Sequence, residues 1–255
     1  MDVRELLAWY RQVRRPLPWR ATRDPYALLV SEVMLQQTQA LRVVPYYERW
    51  LSELPDVASL ASAPVRLVLE LWSGLGYNRR ALALQRAALH VTEHGWPADL
   101  TVLPGVGPYT AAAVSSFAWD AQVAAVDTNV RRVLTRREGL DVDVASRAQS
   151  LVPEGQAAEF NQAMMELGAT VCRPRNPDCL LCPVQDGCAR EIVVPERRGG
   201  VRFEDTDRYA RGRVVAALLA GEPIPISGER LERALAGLER DGLIVRDAAG
   251  DPSLP

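Results

Sequence analysis

The chain has 255 residues, 48% of them hydrophobic, and a formal net charge of −2. It is long enough to bury a sizeable core in one large or two smaller domains, and it lacks the run of about 18 apolar residues that would predict a membrane span. All 30 basic residues are arginines, so no side-chain amine can form a Schiff base and lysine-based covalent catalysis is excluded.

Helical periodicity runs through nearly the whole chain. Asp24 followed by Pro25 has the form of a helix N-cap with proline at the first helical position, and an apolar stripe follows it. Further helices are predicted over residues 42–53, 64–72, 79–93, 109–117, 128–138, 144–151 and 156–170. Residues 122–126 have the composition of a short, isolated strand. The pattern predicts an all-α fold.

The composition changes after residue 189. Residues 191–206, which include Arg197-Arg198-Gly199-Gly200, are predicted to be a linker. Helices follow over 207–220 and 228–240, the second capped by Ser227, and then a short run at 243–246 and a turn containing glycine. The order helix, helix, hairpin predicts a small winged-helix-like module over 207–255.

A short glycine-containing turn separates two predicted helices at Leu103-Pro104-Gly105-Val106-Gly107. Its two glycines allow the backbone to approach another surface, and the helix after it directs free N–H groups there. A phosphate suits such a position. An ordinary tight turn between two helices has the same sequence features.

All four cysteines lie within 17 residues, at Cys172, Cys179, Cys182 and Cys188. The absence of a signal-peptide pattern in residues 1–20 argues against a disulfide scaffold and indicates a cytoplasmic protein. Thiolates this closely spaced favour a soft metal centre, either a [4Fe–4S] cluster or a tetrahedral zinc ion. Zinc sites usually have two close cysteine pairs, whereas only Cys179 and Cys182 form one here. The spacing therefore favours the cluster.

Several motifs together resemble a known family. The LPGVG turn, an Asp twenty residues after its last glycine, and the C-x6-C-x2-C-x5-C loop occur in the order typical of iron–sulfur helix–hairpin–helix DNA glycosylases. Within that superfamily, SEVMLQQTQ (31–39), LWSGLGYNRRALAL (71–84) and FNQAMMELGATVC (160–172) resemble the A/G-mismatch adenine DNA glycosylases, with endonuclease III as a near relative.

The resemblance covers about residues 4–190 and implies two helical lobes with DNA bound across their cleft. A six-helix-barrel lobe containing the hairpin would span 22–128, and a cluster lobe would comprise 1–21 and 129–190. It further implies a monomer that acts on double-stranded DNA containing a mispaired or damaged base, in the cytoplasm of a bacterium and at its nucleoid.

Two carboxylates suit the chemistry of releasing a base. The base leaves easily only when it is protonated, and the developing oxocarbenium sugar needs negative charge beside it. By resemblance, Glu32 is the proton donor and Asp127 the carboxylate facing the sugar. Without the resemblance, Glu32 is equally a boundary residue on a helix face, and Asp127 an N-cap for the helix starting at Thr128.

Position 109 bears on the reaction type. Endonuclease III relatives carry a lysine two residues after the LPGVG turn, where it attacks the sugar and enables strand cleavage. This chain has Tyr109 there and no lysine elsewhere. A water-driven, monofunctional glycosylase is therefore expected, although Tyr109 also suits a packing role.

The resemblance also assigns contacts with DNA. Base flipping leaves a gap in the duplex, which Gln36 and Gln37 would fill while Tyr77 intercalates. The remaining residues assigned to DNA are Arg20, Leu103, Gly105, Val106, Gly107 and Asn129. Trp19 is a further candidate for the base pocket. Exposed amides such as those of Gln36 and Gln37 are often merely solvated.

One departure from the family concerns the substrate. Many adenine glycosylases carry a large C-terminal domain that recognises 8-oxoguanine, and residues 189–255 are too short for it. The main alternative is therefore an endonuclease III-like enzyme for oxidised pyrimidines or thymine with little or no lyase activity. A non-catalytic DNA-binding module is a second alternative, against which the presence of both carboxylates argues.

Overall fold

The computed structural model describes residues 1–192 and 202–255. Over these ranges nearly all of the regular secondary structure is helical, which confirms the predicted all-α class. Its helices are α1 (Val3–Val13), α2 (Pro25–Leu35), α3 (Ala40–Glu53), α4 (Val57–Ser62), α5 (Val65–Trp72), α6 (Arg79–His94), α7 (Pro108–Trp119), α8 (Thr128–Glu138), α9 (Val144–Leu151), α10 (Ala157–Thr170), α11 (Asp207–Ala220) and α12 (Gly228–Arg240). None of these described helices combines the length and apolar character that crossing a membrane requires.

Side-chain caps explain where several helices begin. Asp24 accepts hydrogen bonds from the N–H groups of Tyr26 and Ala27, so α2 starts at the predicted position. Asp2 caps α1 in the same way, and α1 is a helix that the sequence analysis did not predict. Ser227 precedes α12 as predicted, but its side chain makes no capping hydrogen bond.

The first of two compact units comprises Met1–Glu32, Asp99–Thr101 and the described part of Val106–Arg197. Helix α10 is its centre, because it packs against α1, α7 and α8. The buried apolar side chains that α1, α8 and α10 share include Leu6, Tyr10, Val133, Leu134, Phe160, Met164 and Leu167. This core supports the start of α8 and the cysteine loop after α10.

The strand-like composition of residues 122–126 does not produce a strand. The segment is irregular, and side-chain amides pair with its backbone where a neighbouring strand would do so. Asn161 accepts from the Ala125 N–H at 2.9 Å and donates to the Val123 carbonyl at 2.8 Å. Gln149 makes two more hydrogen bonds to the same segment. These contacts fix the course of the chain just before α8.

The second unit comprises Val33–Ala98, Val102–Gly105 and the described part of Arg198–Pro255. Within it α4 and α5 pack on α6, and α11 packs on α12 and on α5. Leu69 of α5 and Leu82 of α6 share one buried cluster with Val214, Leu235 and Ile244 from the C-terminal elements. The C-terminal segment therefore shares a core with α5 and α6.

The C-terminal segment ends in a small hairpin of β1 (Val245–Arg246) and β2 (Pro252–Ser253). The strands are antiparallel, with Val245 opposite Ser253 and Arg246 opposite Pro252. The predicted order helix, helix, hairpin is present. Most of the predicted linker at 191–206 lies outside the described residues. The lobe boundaries and the winged-helix-like character of 207–255 stay predictions.

Candidate active site

Glu32 lies on α2 in the first unit and is 5% exposed. Burial raises the pKa of its carboxyl to about 7, because removal from water disfavours the charged form. A hydrogen bond from the Tyr109 hydroxyl acts in the opposite direction, and the negative charge of Asp127 adds to the rise. A carboxyl in this environment holds its proton near neutral pH and can donate it.

Tyr109 is the second residue of α7 and packs against an apolar cluster that includes Leu28 and Phe117. Burial raises the pKa of its hydroxyl well above 10, and the charges of Glu32 and Asp127 raise it further. The hydroxyl therefore keeps its proton and serves Glu32 as a hydrogen-bond donor. Tyr109 is a packing aromatic and a partner of Glu32 at once.

Asp127 is the N-cap of α8. One carboxylate oxygen accepts from the Val130 N–H at 2.7 Å, and the other accepts from the Asn129 amide at 2.7 Å. A carboxylate at a helix N-terminus also interacts favourably with the helix dipole. Both oxygens are therefore held in a fixed orientation.

Asn129 connects Asp127 to the cysteine loop through Arg132. The Arg132 guanidinium donates to the Asn129 side-chain oxygen and to the Gly168 carbonyl, both at 2.7 Å. Its Nε donates to the Cys172 carbonyl at 2.8 Å. A continuous hydrogen-bonded path thus runs from the carboxylate to the first cysteine. The sequence analysis assigned Asn129 to DNA and did not find Arg132.

The four cysteines are unpaired thiols of intermediate exposure. Burial raises the pKa of Cys182, and the other three thiols add to that rise, so they lie within electrostatic range of it. A guanidinium nitrogen of Arg136 lies 3.2 Å from the Cys172 sulfur. Among the described residues no three His, Cys, Asp or Glu side chains are grouped closely enough to hold a metal ion. The four-thiolate centre therefore stays a prediction.

Arg20 takes part in an ion cluster. Its guanidinium donates to Glu166 at 2.6 Å, and Arg15 donates to the same carboxylate at 2.8 and 2.9 Å. Glu166 is fully buried and its pKa is lowered, because the two arginines outweigh the cost of its burial. Trp19 is also buried. The sequence analysis missed Glu166, although it lies within the motif at 160–172.

The turn at 103–107 buries its apolar side chains, Leu103 and Val106. Gly105 has φ +79°, and a Cβ there would lie 2.8 Å from the Ala83 Cβ, so packing and backbone both require glycine. Gly107 caps α7 with φ −90°, and no atom lies within 4 Å of the position of its Cβ. Gly107 is therefore not required by the fold.

Tyr77 and Gln37 meet in the second unit. The Tyr77 hydroxyl donates to the Gln37 side-chain oxygen at 2.6 Å. Arg80 stabilises both loops, because its guanidinium donates to the Gln36 carbonyl at 2.8 Å and to the Gly76 carbonyl at 3.1 Å. The structure thus brings together two sets of predicted residues: Glu32, Tyr109, Asp127 and Asn129 in one unit, and Gln36, Gln37 and Tyr77 in the other.

Comparisons with known proteins identify the family of this chain. A model of the HhH-GPD superfamily of base excision DNA repair proteins matches residues 30–152. The adenine DNA glycosylase of Mycobacterium tuberculosis is 40% identical, over 98% of this chain and 92% of that protein. The chain belongs to the HhH-GPD superfamily.

Two further proteins are similar to this chain. The rat adenine DNA glycosylase is 46% identical over 76% of this chain, which spans only 42% of that relative. The solved structure of a thermostable thymine-DNA glycosylase is 31% identical, with a TM-score of 0.69 over 74% of this chain and 94% of that one. The predicted helix–hairpin–helix glycosylase fold is confirmed.

Proposed function

We propose that this chain is a base-excision-repair glycosylase that hydrolyses the N-glycosidic bond of a flipped, mispaired adenine in double-stranded DNA. The observation that carries the proposal is the buried Glu32, with its pKa raised to about 7, hydrogen-bonded by Tyr109 and within range of the Asp127 charge. The two adenine DNA glycosylase relatives, 40% and 46% identical, support adenine as the base.

In the proposed reaction Glu32 transfers its proton to the leaving adenine as the C–N bond breaks. The electron pair of that bond stays with the base, and the sugar becomes an oxocarbenium ion. Asp127 faces this positive charge with its carboxylate in the orientation set by Val130 and Asn129. Water then adds to the sugar carbon and gives a proton to the Glu32 carboxylate, which restores the acid and leaves an abasic site and free adenine.

The proposed enzyme is monofunctional. Strand cleavage by a glycosylase starts when an amine attacks the sugar carbon, and no lysine is present in the sequence. The residue at the position expected for that lysine is Tyr109, whose hydroxyl stays protonated because its pKa is raised. Only the α-amino group of Met1 remains as an amine.

We further propose that Cys172, Cys179, Cys182 and Cys188 hold a [4Fe–4S] cluster. Four thiols free of disulfides form a suitable donor set, and Arg136 beside the Cys172 sulfur provides positive charge for an anionic centre. When bound, the cluster would brace the loop after α10. Arg132, which is hydrogen-bonded to both Cys172 and Asn129, would then help to fix the positions of Asn129 and Asp127.

In the proposed complex DNA contacts the peptide backbone of the turn at 103–107, because the Leu103 and Val106 side chains are buried. The open space beside Gly107 would let a phosphate approach the N-terminus of α7. Gln37 and Tyr77 would enter the duplex where the base is extruded. We propose that one copy of the chain acts alone.

Single-turnover release of a base from defined duplexes tests the proposal. Duplexes carrying adenine opposite guanine, adenine opposite 8-oxoguanine, thymine opposite guanine, or an oxidised pyrimidine would be compared. We expect release of adenine, lost in Asp127→Asn and in Glu32→Gln. Release of thymine or an oxidised pyrimidine instead would favour the thymine-DNA glycosylase relationship. Release of no base, with retained DNA binding, would indicate a binding module.

A further inference from the structure

Tyr77 and Gln37 occupy backbone conformations that side-chain-bearing residues rarely adopt. Tyr77 has φ +52° and Gln37 has φ +59°. Such conformations cost energy and persist only where the surroundings enforce them. Gly76, just before Tyr77, also has φ +73°. The contacts around this pair must therefore hold both loops in place.

Part of that support comes from the C-terminal segment. The guanidinium of Arg208, on α11, lies 3.7 Å from the centre of the Tyr77 ring and donates to the Tyr77 hydroxyl at 2.8 Å. A guanidinium at this distance gains both a cation–π and a hydrogen-bond interaction. A Cβ on Gly76 would lie 3.3 Å from an Arg208 nitrogen, so Arg208 also packs closely over the loop.

Arg208 is itself held by aromatic neighbours. It lies 5.4 Å from the centre of the Phe203 ring, and Phe203 meets Tyr209 edge-on at 5.6 Å. Helix α11 is anchored in the core that it shares with α5 and α6, through Val214 among others. The guanidinium is thus presented from a packed helix.

The hydrogen bonds form a directed chain. Arg208 donates to the Tyr77 hydroxyl, which donates to the Gln37 side-chain oxygen. A charged donor at its start strengthens the next bond, because each bond polarises the one after it. The oxygen of Gln37 is therefore occupied, and its NH₂ group remains to donate to the DNA.

We propose that Arg208 is a positioning residue that holds Tyr77 and Gln37 in the arrangement needed to enter DNA at an extruded base. The C-terminal segment would then take part in damage recognition through the residue it places on Tyr77. This inference rests on the proposed function, since it assumes that Tyr77 and Gln37 meet the duplex.

The positioning role of Arg208 can be tested with the variants Arg208→Ala, Arg208→Lys and Tyr77→Phe. Arg213→Ala is the matched control. Arg213 is an exposed arginine on the same helix, so its loss removes the same charge. Fluorescence anisotropy would compare binding to a duplex containing a tetrahydrofuran abasic site with binding to the intact duplex. The ratio of the two affinities measures damage recognition without requiring base release.

Arg208→Ala should lower this ratio roughly tenfold, as expected for loss of one charged hydrogen bond and one cation–π contact. Arg208→Lys should also lower it, because an ammonium keeps the charge but cannot lie over the ring and donate to the hydroxyl with the geometry of a guanidinium. Arg213→Ala should leave the ratio unchanged. The double variant Arg208→Ala/Tyr77→Phe should lose less than the product of the two single losses, since both break the same chain.

Two results would overturn the inference. One is an Arg208→Ala variant indistinguishable from Arg213→Ala. The other is a pair of observations that would indicate a phosphate contact. Arg208→Lys would keep the wild-type ratio of affinities, and in Arg208→Ala the slope of log affinity against log salt concentration would fall in magnitude by about one. Failure of the proposed function appears in the wild-type protein, as absent adenine release. Wild-type protein that releases adenine but shows no preference for the abasic duplex would overturn the inference and leave the proposed function standing.

Discussion

Asn129 and Gly168 are in such close contact that a Cβ on Gly168 would lie 2.5 Å from the Asn129 Cβ. The contact lets Asn129 reach Asp127 while Arg132 bonds both Asn129 and the Gly168 carbonyl. The glycine in the ELGA portion of α10 is thus required by the packing of Asn129. The orientation of the Asp127 carboxylate therefore depends on Gly168, a residue without a side chain.

Gly168→Ala should therefore displace Asn129 and reduce base release by about 10–100-fold, because Asp127 loses its fixed orientation. The measurement is the single-turnover rate with an adenine-mispair duplex. Gly212→Ala is the matched control, since it changes a helical glycine with open space around the added methyl group. Equal rates in the two variants would contradict the prediction.

The raised pKa of Glu32 predicts the pH dependence of the reaction. The acid form is present below a pH of about 7 and is lost above it, so the single-turnover rate should be level below pH 7 and then fall about tenfold per pH unit. A rate that instead rises from pH 6 to pH 9 would show that Glu32 does not act as an acid.

The free energy of unfolding should fall with rising pH as Glu32 ionises. The Glu32 carboxyl has a pKa of about 7 in the folded chain, against the ordinary value of 4.5 in water, so the folded state binds more protons between these values. The protonated carboxyl therefore makes its whole contribution to the free energy of unfolding below pH 4.5. That contribution, about 3 kcal/mol, disappears as the pH rises through 7. Denaturant unfolding of Glu32→Gln should lack this component.

Periodicity and capping residues predicted most of the helices, because apolar positions at helical spacing must face a core. The same rule covers α1, where Leu6, Leu7 and Tyr10 form a buried stripe behind the Asp2 cap. Charged residues occupy its other faces, which is the ordinary pattern of an amphipathic helix, so α1 was predictable from the sequence. The strand-like run at 122–126 stays irregular because the partners of its backbone are the side chains of Asn161 and Gln149, which are distant in sequence.

The family resemblance predicted the two carboxylates, Glu32 and Asp127. It did not predict the side chains that surround and orient the predicted site residues. Neither the bonds from Arg132 to Asn129 nor the burial of Glu166 between two arginines follows from local sequence. The contact of Arg208 with Tyr77 joins residues 131 positions apart. Such pairs depend on tertiary packing, which the periodicity of a sequence does not reveal.

The contrast between Gly105 and Gly107 separates folding from DNA binding. Gly107→Ala should leave thermal stability unchanged, because its Cβ meets nothing, and should weaken binding to every duplex by about tenfold through lost backbone approach. Gly105→Ala should lower the melting temperature as well, since it clashes with Ala83 at a positive φ. Unchanged affinity in Gly107→Ala would mean that this turn does not meet DNA.

Iron content tests the proposed cluster. Protein purified without oxygen should contain roughly four irons per chain and absorb broadly in the visible range, as four-thiolate clusters do. Cys179→Ser should lower both, and base release should fall with them because Cys172 is linked to Asp127 through Arg132 and Asn129. Stoichiometric zinc in a colourless preparation would contradict the cluster and favour the alternative metal.

The last prediction concerns the product. With no lysine in the chain, the enzyme should leave an abasic site in an intact strand that alkali then cleaves. Borohydride should trap at most a weak adduct with DNA, formed through the α-amino group of Met1. Tyr109→Lys would place an amine beside Glu32 and provides the matched comparison, in which trapping should increase if the residue reaches the sugar. Efficient trapping and strand scission by the wild-type chain, in preparations free of other lyases, would refute a monofunctional enzyme.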